Sequence, residues 1–292
     1  MIKLKINGMK IGVTGATGQL GRLVVEKLKE KVGPENLVAL VRTPEKVSDA
    51  AVEVRLFNYD EPESLGKSLE GIEHLLLISG SEVGKRRQQH ENVIKAAQQA
   101  GVKWIVYTSL LHADRSSISL AGEHRATEAA LQASGIAHTI LRNGWYTENY
   151  TASISGALKA GVFIGSAGEG KISSAARDDY AEAAAVVLTS GNQEGKVYEL
   201  AGDEHYTLKE LAAEVSRQTG KDIPYRDLSE TEYAATLTGL GLPNELAKAI
   251  SGSDAATSRN DLFDDGKQLS RLIGRPTTSL SQSVKDVLTG TI

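Results

Sequence analysis

Lys10-Ile-Gly-Val-Thr-Gly-Ala-Thr-Gly-Gln-Leu-Gly-Arg-Leu-Val-Val-Glu-Lys-Leu28 joins a short apolar run (Ile11, Val13) to three glycines (Gly15, Gly18, Gly21). Leu20, Leu23, Val24 and Leu28 then recur at helical spacing. Strand, glycine turn and helix, in that order, place a pyrophosphate over a helix N-terminus. Free N–H groups in a first helical turn, together with the helix dipole, favour an anion there. In this reading Gly15 permits the tight turn, Gly18 lets a phosphate approach the backbone, and Gly21 lets the helix sit close on the strand. A glycine fingerprint is weak evidence by itself. The rest of the chain has to agree with it.

It does so by rhythm. Leu37-Val-Ala-Leu-Val41 is a continuous apolar run, as expected of a strand buried on both faces. Residues 53–57, 74–78, 104–108 and 137–142 read as further strands, and 63–70, 83–100 and 121–134 as helices between them. Such alternation implies a parallel sheet with right-handed crossovers and helices on both faces. Ligands of these sheets bind beyond the strand C-terminal ends. Polar residues at 14–20, Arg42, Asp60, 79–81, Ser109 and 143–149 all fall at such ends.

Past Asn149 the rhythm loosens. A short strand is expected at 162–164, an Ala-rich helix at 177–190 and a strand returning to the main sheet at 196–200. Thr207 caps a helix over 208–219 that Gly220 stops, and 224–228 reads as another short strand. Short helices are expected at 229–240, 243–251, 265–273 and 279–288. The fold class expected is therefore α/β, a Rossmann-type doubly wound parallel sheet with a smaller C-terminal α/β lobe. The nucleotide domain is expected over 9–150 together with 177–202. Residues 151–176 and 203–292 would form the smaller lobe, with a cleft between the two. Residues 1–8 read as an extension before the first strand.

Composition narrows the function. The 292 residues are 40% hydrophobic and 24% charged, and 33 basic against 37 acidic residues give a net charge of −4. With no long basic run, nucleic acid or an anionic membrane is not expected as the main partner. The absence of cysteine removes disulfides, thiol nucleophiles and Cys-ligated metals, which fits a cytoplasmic protein. No segment approaches the roughly eighteen consecutive apolar residues of a membrane span. No metal ligand set appears, and Asp178-Asp179 and Asp264-Asp265 read as caps and surface charge.

About twenty residues beyond the glycine turn, a carboxylate at a strand end selects NAD, whereas a cation accepts the 2′-phosphate of NADP. This chain has Arg42 there, and a guanidinium pairs well with phosphate. NADPH is the cofactor expected. The usual proton donor of short-chain reductases, a Tyr-x-x-x-Lys pair, is missing, since none of the nine tyrosines has Lys four residues on. Ser109 stands where the serine of that superfamily is expected, but 121–128 carries no tyrosine. Reducing a carbonyl makes an alkoxide that needs a positioned acid. Reducing a quinone makes a phenolate whose conjugate acid has a pKa of about 10. An acceptor that needs only hydride delivery fits better. Tyr146, at a strand end beside Asn143, Gly144 and Asn149, and His124 are the candidate catalytic groups. Tyr107 and Ser109 are lesser ones. His90 is undecided, and His138 and Trp104 read as structural.

Thr14-Gly-Ala-Thr-Gly-Gln-Leu-Gly21, the run through Ser79-Gly-Ser-Glu82, Tyr107-Thr-Ser-Leu-Leu-His112 and Leu141-Arg-Asn-Gly-Trp-Tyr-Thr-Glu-Asn149 together resemble the NmrA-like atypical short-chain dehydrogenase family. The resemblance extends over 9–288. It implies cofactor contacts from Gly15, Ala16, Thr17, Gly18, Gln19, Leu20, Arg42, Ser79, Gly80 and Ser81. Asn143, Gly144, Trp145, Tyr146, Thr147 and Glu148 would lie along the nicotinamide half, with Lys171 and Arg177 as weaker contacts. Asn143 replaces the proline of many relatives, which favours the quinone-reducing subgroup. The function so implied is NADPH-dependent hydride transfer to a quinone held between the lobes. The alternative the family offers is a non-catalytic NADP(H)-binding redox sensor. Expected partners are a small-molecule quinone and, left open, a second copy of the chain as a homodimer. A sugar-nucleotide epimerase would need the missing Tyr-Lys pair.

Overall fold

The computed structural model describes residues 8–47 and 51–290, so nearly all of the expected extension at 1–8 lies outside the described residues. β1 (Lys10–Thr14), α1 (Gln19–Val32), β2 (Leu37–Val41), β3 (Glu53–Leu56), α2 (Pro62–Ser68), β4 (Ile72–Leu77), α3 (Arg86–Ala100), β5 (Trp104–Leu110), α4 (Ala121–Ser134) and β6 (Ala137–Asn143) follow the expected alternation. Next come α5 (Thr147–Thr151), α6 (Ile154–Ala160), β7 (Phe163–Gly165), α7 (Arg177–Thr189) and β8 (Val197–Leu200). α8 (Leu208–Thr219), β9 (Tyr225–Asp227), α9 (Glu230–Gly239), α10 (Asn244–Thr257), α11 (Gln268–Ile273) and α12 (Leu280–Thr289) complete the chain.

Seven strands form one sheet in the order β3-β2-β1-β4-β5-β6-β8, and β7 pairs with β9 in a separate two-stranded sheet. The pairings from β3 through β6 are all parallel. β1 thus lies between β2 and β4, with Thr14 opposite Leu40 and Val13 opposite Leu76. The order reverses beside β1, where doubly wound sheets bind their ligands.

The chain divides into two compact units. One comprises residues up to Ala113, Gly122–Asn143 and Arg177–Tyr198; the other comprises Asp114–Ala121, Gly144–Ala176 and Glu199 onward. The division thus falls at Asn143, not at 150, and within β8, not at 202. In the first unit every residue of β2 and of β5 is buried, and Leu75, Leu77, Val93, Ile105 and Tyr107 belong to its core. Each such aliphatic side chain contributes about 1.5–3 kcal/mol by leaving water. Lys27 and Lys31 of α1 pair with Asp178 (2.8 Å) and Glu182 (3.0 Å) of α7. Asp179, expected as surface charge, is fully buried. The core of the second unit holds Tyr150, Phe163, Ile172, Tyr206, Leu211 and Val284. A capping box at Thr207 starts α8 as expected.

α5 and α6 were not expected, and α3 and α10 depart from their expected bounds. α3 begins at Arg86 and not at 83, because Gly84 takes φ +86° and leaves Val83 exposed. α10 runs through Gly252 to Thr257, since Ser251, Asp254, Ala256 and Thr257 are buried and burial offsets the weak helix propensity of one glycine.

Candidate functional site

β1 delivers the chain into a turn that only glycine makes without strain. Gly15 adopts φ +59°, and its carbonyl accepts the Gly18 N–H at 2.8 Å. Gly18 caps α1 with extended backbone and no side-chain cap, and no acidic residue occupies the first turn. The N–H groups there are left for an outside acceptor. A Cβ on Gly21 would lie 2.2 Å from the Gly15 oxygen, so turn and helix are in direct contact. Ala16 and Leu20 are buried beneath the turn, while Thr17, Gly18 and Gln19 are exposed on it.

The neighbouring strand ends are tied to the same place. Thr14 Oγ1 accepts from the Ile78 N–H (2.9 Å) and from the Tyr59 hydroxyl (2.5 Å). The Ser79 N–H donates to Thr108 Oγ1 at 2.9 Å. The Gly80 N–H donates to His90 Nε2 (3.0 Å), and the Gly80 carbonyl accepts from Arg86 Nε (2.8 Å). Arg86 continues to Glu123 at 2.7 Å, whose other oxygen accepts the Gly84 N–H at 2.9 Å. The backbone of this loop is therefore pinned from below by buried partners.

His90 accepts at Nε2, so its proton sits on Nδ1 and is donated to Thr127 Oγ1 at 2.9 Å. Burial, reinforced by Arg86, pulls its pKa down to about 3. His124 is held down to about 3 by the same two causes, and its Nδ1 lies 2.7 Å from the Tyr107 hydroxyl. Burial raises the Tyr107 phenol. His124, expected as a solvated or catalytic group at a polar helix start, is instead a neutral imidazole inside a packed network. Held neutral by burial, it is poorly suited to act as a general acid near neutral pH.

Ser109 is likewise committed. Its hydroxyl donates to Glu128 at 2.6 Å, and Glu128 grips Arg142 through Nε (3.0 Å) and Nη2 (2.8 Å). His124 and Glu128 stand four residues apart on α4, the spacing of the missing Tyr and Lys, and both turn to inner partners. Sequence reasoning missed Tyr59, Arg86, Glu123, Glu128 and Arg142. The available signal was the shared face of 123, 124, 127 and 128 on α4.

Asn143 closes β6 and is 5% exposed; its carbonyl accepts the Leu111 N–H at 2.9 Å. Its Oδ1 is buried with no hydrogen-bond partner among the described residues. Leaving such an acceptor unpaired costs about 1–3 kcal/mol, so a donor from outside the chain would stabilise it. Arg42 follows β2 with its side chain 64% exposed and places Nη1 2.8 Å from Glu82 Oε1.

In the second unit the expected nicotinamide segment is held by backbone. The Gly144 N–H donates to Leu200 (2.7 Å), the Thr147 N–H to Ala175 (2.9 Å), and the Ala175 N–H to Trp145 (3.2 Å). Trp145 packs on the core, and Tyr146 caps α5. The Thr147 hydroxyl turns inward to Ser174 Oγ (2.8 Å), which meets the Tyr206 hydroxyl at 2.6 Å. Glu148 opens the first turn of α5. Lys171 sets its ammonium 5.3 Å from the Phe263 ring centre. Arg177 is the first residue of α7 in the other unit. Among the described residues no group of three metal-ligating side chains occurs, and no helix is long and apolar enough to cross a membrane.

A glycine cradle at a helix N-terminus, at the reversal point of a parallel sheet, is a nucleotide site. The sequence profile of the NAD(P)H-binding family matches residues 15–191. The chain belongs to this family. It is 55% identical over 277 residues to quinone oxidoreductase 2 of Escherichia coli, covering 94% of this chain and 97% of that one. The crystal structure of the E. coli NADPH-dependent quinone oxidoreductase complexed with NADPH matches with a TM-score of 0.93 at 53% identity, over 95% and 99% of the two chains. Triphenylmethane reductase of Citrobacter sp. complexed with NADP(H) matches with a TM-score of 0.92 at 38% identity, over 95% and 100%. The family resemblance read from the motifs and the Rossmann-type fold are both borne out.

Proposed function

We propose that this chain is an NADPH-dependent reductase that transfers hydride to a quinone. The observation that carries the reading is 55% identity with a quinone oxidoreductase along nearly the whole of both chains. The chain's own residues fit the cofactor. The Gly15–Gly21 contact leaves no room for a side chain, the first turn of α1 offers unused donors, and the Oδ1 of Asn143 lacks a partner. When bound, NADPH supplies the hydride. Gly15, Ala16, Thr17, Gly18, Gln19 and Leu20 receive the pyrophosphate, Arg42 reads the 2′-phosphate, and Ser79, Gly80 and Ser81 line the adjoining strand end.

Asn143, Gly144, Trp145, Tyr146, Thr147 and Glu148 set the position of the nicotinamide half. Thr147 acts by fixing this segment, since its hydroxyl and N–H are already engaged. Tyr146 orients the acceptor. His124 is a positioning residue that acts through Tyr107. Lys171 and Arg177 make peripheral contacts. The product is a phenolate with a conjugate-acid pKa of about 10, so water suffices as proton source and rate enhancement rests on proximity and orientation.

Steady-state oxidation of NADPH with benzoquinone or naphthoquinone tests the reading. Turnover that scales with quinone supports it. Tight binding of both NADP forms without turnover would instead mark a redox sensor.

A further inference from the structure

β2 and β4 flank β1 on either side, so a contact between the residues that follow them passes across the end of β1, where the glycine turn begins. Arg42 and Glu82 make that contact. Arg42 Nη1 lies 2.8 Å from Glu82 Oε1, and Glu82 Oε2 lies 3.3 Å from Lys85 Nζ. One carboxylate thus bridges two cations, with one oxygen on each. The two basic side chains are each 64% exposed, while the Glu82 side chain is 34% exposed. The charge of Arg42 also reaches the phenol of Tyr59, whose hydroxyl rests on Thr14 at the end of β1. The Arg42–Glu82 pair thus links the segments that follow β2 and β4, the strands on either side of β1.

We propose that Glu82 gates the 2′-phosphate subsite and that Lys85 is its second cation. The inference rests on the NADPH reading above and extends it to two residues not otherwise assigned to the site. A carboxylate bridging Arg42 and Lys85 marks the place where one anion satisfies both. A phosphate monoester carries about −1.5 to −2 charges near neutral pH and three acceptor oxygens, so it fits the same pair better than a carboxylate does. The resident ion pairs are exposed and individually weak, which makes them displaceable. The cost of displacement stays small because only the Glu82 side chain has to swing. The loop backbone is fixed by the Gly80 contacts to His90 and Arg86 and by the Gly84 contact to Glu123. NADH has no group to make the exchange. It meets the ion pair intact.

Dissociation constants for NADPH and NADH, measured directly by titration with the full chain and its Glu82→Gln and Lys85→Ala variants, test the gate. Glu82→Gln removes the competing charge and should tighten NADPH about two- to fivefold, the range of one exposed ion pair, with NADH unchanged. Lys85→Ala should weaken NADPH by a similar factor and again leave NADH unchanged. Weaker NADPH binding in Glu82→Gln would show that Glu82 holds Arg42 in place and would overturn the gate. Equal changes for both nucleotides in either variant would also overturn it, as would unchanged affinities. A native chain without preference for NADPH would defeat the cofactor reading itself. A native preference with unmoved variants would defeat only the gate.

Discussion

At Gly21 a methyl group would have to occupy space 2.2 Å from the Gly15 oxygen and 2.9 Å from the Ala16 Cα. These are backbone atoms, and neither yields without unmaking the turn. Gly21→Ala should therefore cost about 2–3 kcal/mol, read as a lower melting temperature, and should abolish nucleotide binding in the protein that remains folded. Arg42 makes the complementary prediction. Arg42→Ala should raise the NADPH dissociation constant roughly tenfold or more while leaving NADH nearly unchanged, because a lost charge-assisted phosphate contact is worth about 1.5–3 kcal/mol. Equal losses for both nucleotides would remove the assignment. The turn at Gly15 and the close approach at Gly21 were legible in the sequence because local backbone geometry decides them. Ser109 and His124 were not. Their roles depend on which side chains tertiary structure sets opposite them, and Glu128 and Tyr107 come from elements that spacing alone does not bring into register.

Among the elements, α4 shows how a missing motif is replaced. The face that would present a tyrosine and a lysine carries His124, Thr127 and Glu128, all bonded inward. With α3 it buries two neutral imidazoles, and that has a pH signature. In the unfolded chain a histidine takes up a proton below about pH 6.5, whereas His90 and His124 resist protonation down to about 3. The unfolded state then binds more protons, so stability should fall as pH drops from about 6.5 toward 3. His90→Gln, which keeps an acceptor for the Gly80 N–H, should flatten part of that loss in thermal melts.

α10 carries the opposite case. Burial is the main cause that pushes the Asp254 carboxyl up to about 6, although it accepts the Ser166 N–H at 3.0 Å. The native state keeps a proton that the unfolded chain releases near pH 4, so this group lowers stability as pH rises through about 4 to 6. Asp254→Asn keeps the acceptor and removes the charge. It should raise the melting temperature by about 2–4 °C for each kcal/mol gained near pH 8 and leave it unchanged near pH 4. The extent of α10 was misjudged for a related reason. The helix expected at 243–251 ends before Gly252, but buried residues on both sides of that glycine carry the helix through.

For the molecule as a whole, the alternation of strands and helices and the parallel sheet were legible because continuous apolar runs and glycine stops mark each element, whereas the strand order around β1 is set by pairings between segments far apart in sequence. The division at Asn143 and within β8 was not legible, since it follows contacts between segments far apart in sequence. Absence was as informative as presence: without a Tyr-x-x-x-Lys pair the chain is suited to an acceptor that tolerates a slow proton. Tyr146→Phe should accordingly slow turnover only a fewfold, and a loss of about a thousandfold or more would reveal a general acid. Hydride transfer to a quinone is tested by single-turnover mixing of the enzyme, NADPH deuterated at the transferred position of the nicotinamide, and a benzoquinone. One hydroquinone should form for each NADPH consumed, with deuterium slowing the step. Nucleotide bound and left unoxidised in the presence of quinone would contradict it.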